Sequence, residues 1–122
     1  MRELKIEETK GVCGNEKFQT MLEKGLITSE KAQDHVNEKI VLIGSCKVNI
    51  KTDDKDFNMY YYITKDGLVL SSGSEYLFKS LENVEFEKEA IIKKVQTKRG
   101  FTYLFNPVFS MSDLTSDDDL PF

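Results

Sequence analysis

Residues 40–51 constrain this chain most. An apolar run, Ile40-Val41-Leu42-Ile43, passes through Gly44 into strict alternation, with Cys46, Val48 and Ile50 on one side and Lys47, Asn49 and Lys51 on the other. Successive side chains take opposite faces only in a strand, so the segment predicts one long β-strand, apolar on both faces where it begins and on one face where it ends. Gly44 is where it can bend.

The segments that follow keep to the same pattern. The polar run Thr52–Asp56 reads as a loop, and Phe57-Asn58-Met59-Tyr60-Tyr61-Tyr62-Ile63-Thr64 is rich in the aromatic and β-branched residues that strands favour. Lys65-Asp66-Gly67 predicts a tight turn into Leu68–Ser71, because Asp-Gly supplies the positive φ angles of a hairpin. Ser74 can cap a helix from Glu75 to about Asn83, with Leu77, Leu81 and Val84 on one face. Glu89–Thr97 and Phe101–Phe105 alternate again across a turn at Lys98-Arg99-Gly100.

Three strands, a helix and a two-stranded hairpin (β-β-β-α-β-β) predict a mainly β chain folded as a five-stranded OB-fold barrel over residues 40–109. In that architecture the second and third strands and two flanking loops form an oligonucleotide-binding surface. Residues 1–39 read as an N-terminal extension packed on the barrel. Phe18, Met21 and Leu22 predict a helix over Asn15–Lys24 that stops at Gly25, and Thr28 or Ser29 could cap a second short helix through Val36. Residues 110–122 are too polar and acidic to pack and are expected to form a disordered tail.

Charge is divided unevenly. The formal net charge is −4, yet residues 110–122 carry Asp113, Asp117, Asp118 and Asp119 with no base, which leaves 17 acids against 17 bases elsewhere. A neutral body can still hold a polyanion if its bases share one face. Met1–Glu8 has no apolar stretch of a secretory signal, and no run approaches the roughly 20 apolar residues of a membrane span. Cys13 and Cys46 lack the spacing of a disulfide framework or zinc site. A cytoplasmic protein, in a bacterial cell or a phage-infected host, is therefore expected.

Binding single strands without sequence preference needs flat side chains for bases to stack on and bases that follow the phosphates. Tyr60 and Tyr62 share one face of the second strand and are the leading stacking candidates, while Phe57, Met59, Tyr61 and Ile63 on the other face read as core. Lys47 and Lys51 border the same groove, and Lys93, Lys94, Lys98 and Arg99 concentrate charge in the last hairpin. Tyr103 is a further stacking candidate, although Phe101, Tyr103 and Phe105 at alternate positions are more often core. Ser71–Ser74 reads as a capped loop, and Asp53, Asp54 and Asp56 lack the spacing of a calcium loop. With one histidine, His35, no cysteine pair for a metal and no nucleophile or phosphate-loop motif, the expectation is a non-enzymatic protein without metal or cofactor.

The segment Asp117-Asp118-Asp119-Leu120-Pro121-Phe122 resembles the acidic tip of bacterial and phage single-stranded DNA-binding proteins, which typically end in Asp-Asp-Asp-Ile-Pro-Phe. The body is similar in length and element order to the small phage-encoded members of that family. The resemblance implies protection of single-stranded DNA in replication, recombination and repair. It also implies that helicase loaders, recombination mediators or primases capture Phe122 in an apolar pocket and meet the aspartates with a basic rim. Because one OB-fold covers about 4–16 nucleotides, a homodimer or higher oligomer is expected. The chain departs from the family in having no tryptophan and no long Gly- and Gln-rich linker before the tip. Two other readings stay open on sequence: a protein-interaction adaptor and an RNA-binding module of the same architecture.

Overall fold

The computed structural model describes residues 3–108. The expected tail, with Asp117–Phe122, lies outside the described residues. Residues 39–108 follow the predicted order closely. The long strand runs from Lys39 to Lys51 (β3), followed by Asp56–Thr64 (β4), Val69–Ser72 (β5), the helix Glu75–Lys79 (α2) with a 3-10 turn over Ser80–Asn83, and the hairpin Glu89–Thr97 (β6) and Gly100–Pro107 (β7). Ser74 caps α2 by accepting the Leu77 N–H at 3.2 Å. The Asp66-Gly67 turn is held by the Thr64 hydroxyl, which accepts the Leu68 N–H at 3.0 Å, with Gly67 at φ +89°.

The N-terminal extension differs from expectation. Glu3–Gly11 is a strand (β1) paired antiparallel with β3 from Glu3↔Lys51 to Gly11↔Gly44. Its apolar residues, Leu4 and Ile6, are too few to announce a strand by alternation alone. The predicted helix appears as Glu16–Glu23 (α1), N-capped by Asn15. The second predicted helix does not form. Glu30–Lys31 (β2) instead pairs parallel with β5, a 3-10 turn spans Ala32–His35, and Val36 bridges to Ile92 of β6. Ala32 and Val36 thus fill the space between β5 and β6, and a sheet edge outbid the weak helix pattern.

The strands are hydrogen-bonded in the order β2-β5-β4-β3-β6-β7, with β1 beside β3, and the sheet curls into a half-barrel. A bulge between Leu42 and Gly44 makes β3 change sides. Before it, Ile40 and Leu42 enter a core with Tyr60, Tyr62, Leu70, Leu77, Leu81, Ile92 and Phe105. Beyond it, Cys46, Val48 and Ile50 pack with Cys13, Leu22 and Ile63 on the opposite face, under α1. The β1 chain reaches α1 through Gly11, whose φ is +61° and whose hypothetical Cβ would lie 2.0 Å from the Ile43 carbonyl oxygen, so only glycine fits. Among the described residues no ladder joins β5 to β7; α2 and the Ser80–Asn83 turn pack against β7.

Candidate nucleic-acid interface

The concave face of the sheet is fixed by register. Lys47 lies opposite Glu7 of β1 and Tyr60 of β4, Asn49 opposite Lys5 and Asn58, and Lys51 opposite Glu3 and Asp56. Opposed residues share a face. Beyond Tyr60 this face is polar, and Asn49 Nδ2 donates to Asp56 at 2.8 Å and to Asn58 at 3.0 Å. Lys51 is exposed, while Lys47 lies 3.9 Å from Glu7.

Between this face and α2 lies a groove of about 450 Å³. Tyr60, Phe78 and Leu81 form its floor, and Lys10, Lys47 and Lys79 alternate around it with Glu8, Glu75 and Glu82. Lys79 pairs with Glu75 at 3.1 Å, one helical turn away, and that hydrogen bond raises its pKa. A bulge in β1 between Glu7 and Lys10 delivers Glu8 and Lys10 to the groove, with Glu8 at φ +48°. Burial holds the Tyr60 phenol above its ordinary pKa, and the charges of Glu75 and Glu8 add to the rise.

The two leading stacking candidates are corrected by packing. Tyr62 has no exposed surface and its ring meets Phe105 edge-on at 4.9 Å. Tyr60 is 4 % exposed, and its face is taken by Phe78 at 4.7 Å between centroids. Both belong to the core because β4 is covered on both faces, one by α2 and β7 and the other by the core under α1. Alternation separates two faces of a strand but does not say which is wet. On the opposite face Met59, Tyr61 and Ile63 pack as expected, whereas Phe57 is 40 % exposed.

The last hairpin places the remaining candidates. β3 pairs only with Glu89–Ile91, so β6 and β7 run on as a two-stranded ribbon beyond the sheet. Lys94 lies opposite Tyr103 and Gln96 opposite Phe101, on the same face as the core residues Ile92 and Phe105; Lys93 is on the other face, and Lys98 and Arg99 form the exposed tip. Tyr103 is half-buried against the core and Phe105 fully buried. Phe101, which spacing assigned to the core, is 63 % exposed, with the Lys94 ammonium 4.1 Å from its ring centroid. From Ala90 to Pro107 there are four bases and no acid, and that bias is the signal that marks Phe101 as a surface aromatic. Lys10 and Lys79 were also missed, Lys10 because its strand was.

Comparison of the chain with protein-family descriptions, with curated proteins and with solved structures returns no match. Among the described residues no helix is long and apolar enough to cross a membrane, and no three histidine, cysteine or acidic side chains gather as metal ligands.

Proposed function

We propose that this chain binds single-stranded DNA through the β6–β7 ribbon and the adjoining concave surface of an OB-type barrel, without chemistry of its own. The observation that carries the reading is the ribbon itself. It pairs four bases and no acid with an exposed phenylalanine beside a lysine, the combination that lets a base stack while its phosphate is neutralised. The element order β3, β4, β5, α2, β6, β7 is that of an OB barrel, with β2 added beside β5 at one end of the sheet and β7 at the other. The exposed Phe101 ring favours a single strand over a duplex, because stacking on a side chain needs a base freed from its own helix stack.

The segment Asp117–Phe122 serves, in the same proposal, as the docking element that recruits replication and recombination proteins, and homo-oligomers extend the contact along the strand. The test is fluorescence anisotropy of a labelled mixed-sequence single strand, competed with unlabelled single strand, duplex and RNA. Displacement by single-stranded DNA and not by duplex is expected. Preferential displacement by RNA would favour the ribose-reading module, and no binding at low salt would sink the proposal.

A further inference from the structure

We infer that the groove between β1, β3 and α2 is a base pocket that favours bases carrying an exocyclic amine, namely cytosine, adenine and guanine, over thymine. The inference rests on the single-strand reading above and gives it a sequence preference that a ribbon of stacking and phosphate contacts does not supply.

Three observations lead there. The groove, at about 450 Å³, falls within the roughly 300–1,000 Å³ range of clefts that enclose small ligands. Its floor is aromatic, and Tyr60 there is 4 % exposed with a hydroxyl that makes no hydrogen bond among the described residues. The phenol oxygen is not among the buried unpartnered atoms, so it opens on the groove, where a ligand atom can take it as a partner. Finally, the rim alternates charges of both signs, and Glu8 holds its place in it at φ +48°, a conformation that costs energy for a side chain other than glycine.

The mixed rim matches a nucleotide and not a bare phosphate. Lys10 and Lys47 on the sheet side and Lys79 on the helix side can hold the backbone, while Glu75 and Glu82 face the base edge as acceptors. Lys79 leaves Glu75 for a phosphate oxygen as the strand enters, and the freed carboxylate takes the amine of the base. Cytosine N4, adenine N6 and guanine N2 each offer such a donor. Thymine offers only N3–H between two carbonyl oxygens, which repel a carboxylate. The neutral Tyr60 phenol can donate to a ring nitrogen or carbonyl at the floor.

The experiment compares the full-length protein's affinity for labelled oligodeoxycytidine and oligodeoxythymidine of equal length, in the wild type and in a Glu75→Gln/Glu82→Gln variant. Both glutamates are exposed, so the fold should survive, which circular dichroism checks. The wild type should prefer oligodeoxycytidine by at least about fivefold, and the variant, whose amides both donate and accept, should bind the two within about twofold of each other. Equal wild-type affinities, or a preference that persists in the variant, overturn this inference and leave single-strand binding intact. Failure of both oligomers to bind removes the reading on which it rests.

Discussion

The Ser80 hydroxyl accepts the Phe105 N–H at 2.8 Å and donates to the Leu77 carbonyl at 2.6 Å, so one buried side chain joins the end of α2 to the open edge of β7. At that edge the hydroxyl stands where a neighbouring strand would otherwise supply an acceptor. Replacing Ser80 with Ala leaves a buried N–H without a partner, which costs about 1–3 kcal/mol. A urea melt of Ser80→Ala should show its midpoint lowered accordingly, and a midpoint equal to wild type would mean that the edge is satisfied in another way.

Tyr62 supplies the opposite case. Its hydroxyl is fully buried with no hydrogen-bond partner among the described residues, and burial above all, with the charges of Tyr60 and Cys46 adding to it, drives its pKa far upward. Desolvating a hydroxyl without compensation costs about 1–3 kcal/mol in proteins, whereas its ring packs well against Phe105. Tyr62→Phe should therefore match or exceed wild-type stability and leave DNA affinity unchanged. A loss of more than about 1 kcal/mol would reveal a partner for the hydroxyl, and a loss of affinity would restore Tyr62 to the binding surface.

These two residues also mark how far the sequence could be read. The β3–β7 pattern was legible because alternation and turn dipeptides are local: residues 40–50, Asp66-Gly67 and Lys98-Arg99-Gly100 each announce themselves. β1 was not, since Glu3–Gly11 becomes a strand only because β3 offers it an edge. The site was half legible for the same reason. Lys94, Lys98 and Arg99 are exposed whatever the ribbon does, but the roles of Tyr60, Tyr62 and Phe101 turn on whether another element covers them. Covering is a property of tertiary packing, and α1 and α2 decide it.

His35 bridges two carboxylates, with Nε2 3.1 Å from Glu30 and Nδ1 2.7 Å from Glu38, and so ties β2 to the start of β3. Burial pulls its pKa down, but the hydrogen bond to Glu30 and the charges of Glu38 and Glu30 outweigh it, and the net shift is upward. The folded state then binds the proton more tightly than the unfolded chain. Its stabilisation is complete below the unfolded value of about 6.5 and is lost as pH rises through the higher folded value. The stability gap between wild type and His35→Gln should accordingly be larger at about pH 5.5 than at about pH 8.5. A gap of the same size at both would show that the two contacts do not depend on the imidazolium.

The ribbon separates its two kinds of contact by their response to salt. Each phosphate neutralised on a single strand contributes about 0.7 to the slope of log affinity against log salt, so removing the charges of Lys98 and Arg99 together should flatten that slope by about 1.4. Phe101→Ala should act differently, because a stacked base releases no counterion: affinity should fall by about 1–3 kcal/mol at every salt concentration while the slope stays put. Lys94 bears on both, since its ammonium lies against the Phe101 ring in the free protein and must turn to a phosphate when a base takes that ring face. Lys94→Ala should flatten the slope by about 0.7 yet cost less affinity than Lys98→Ala, as it also uncovers the ring. If Phe101→Ala changed the slope instead of the intercept, the phenylalanine would be holding the ribbon's lysines in place and not a base.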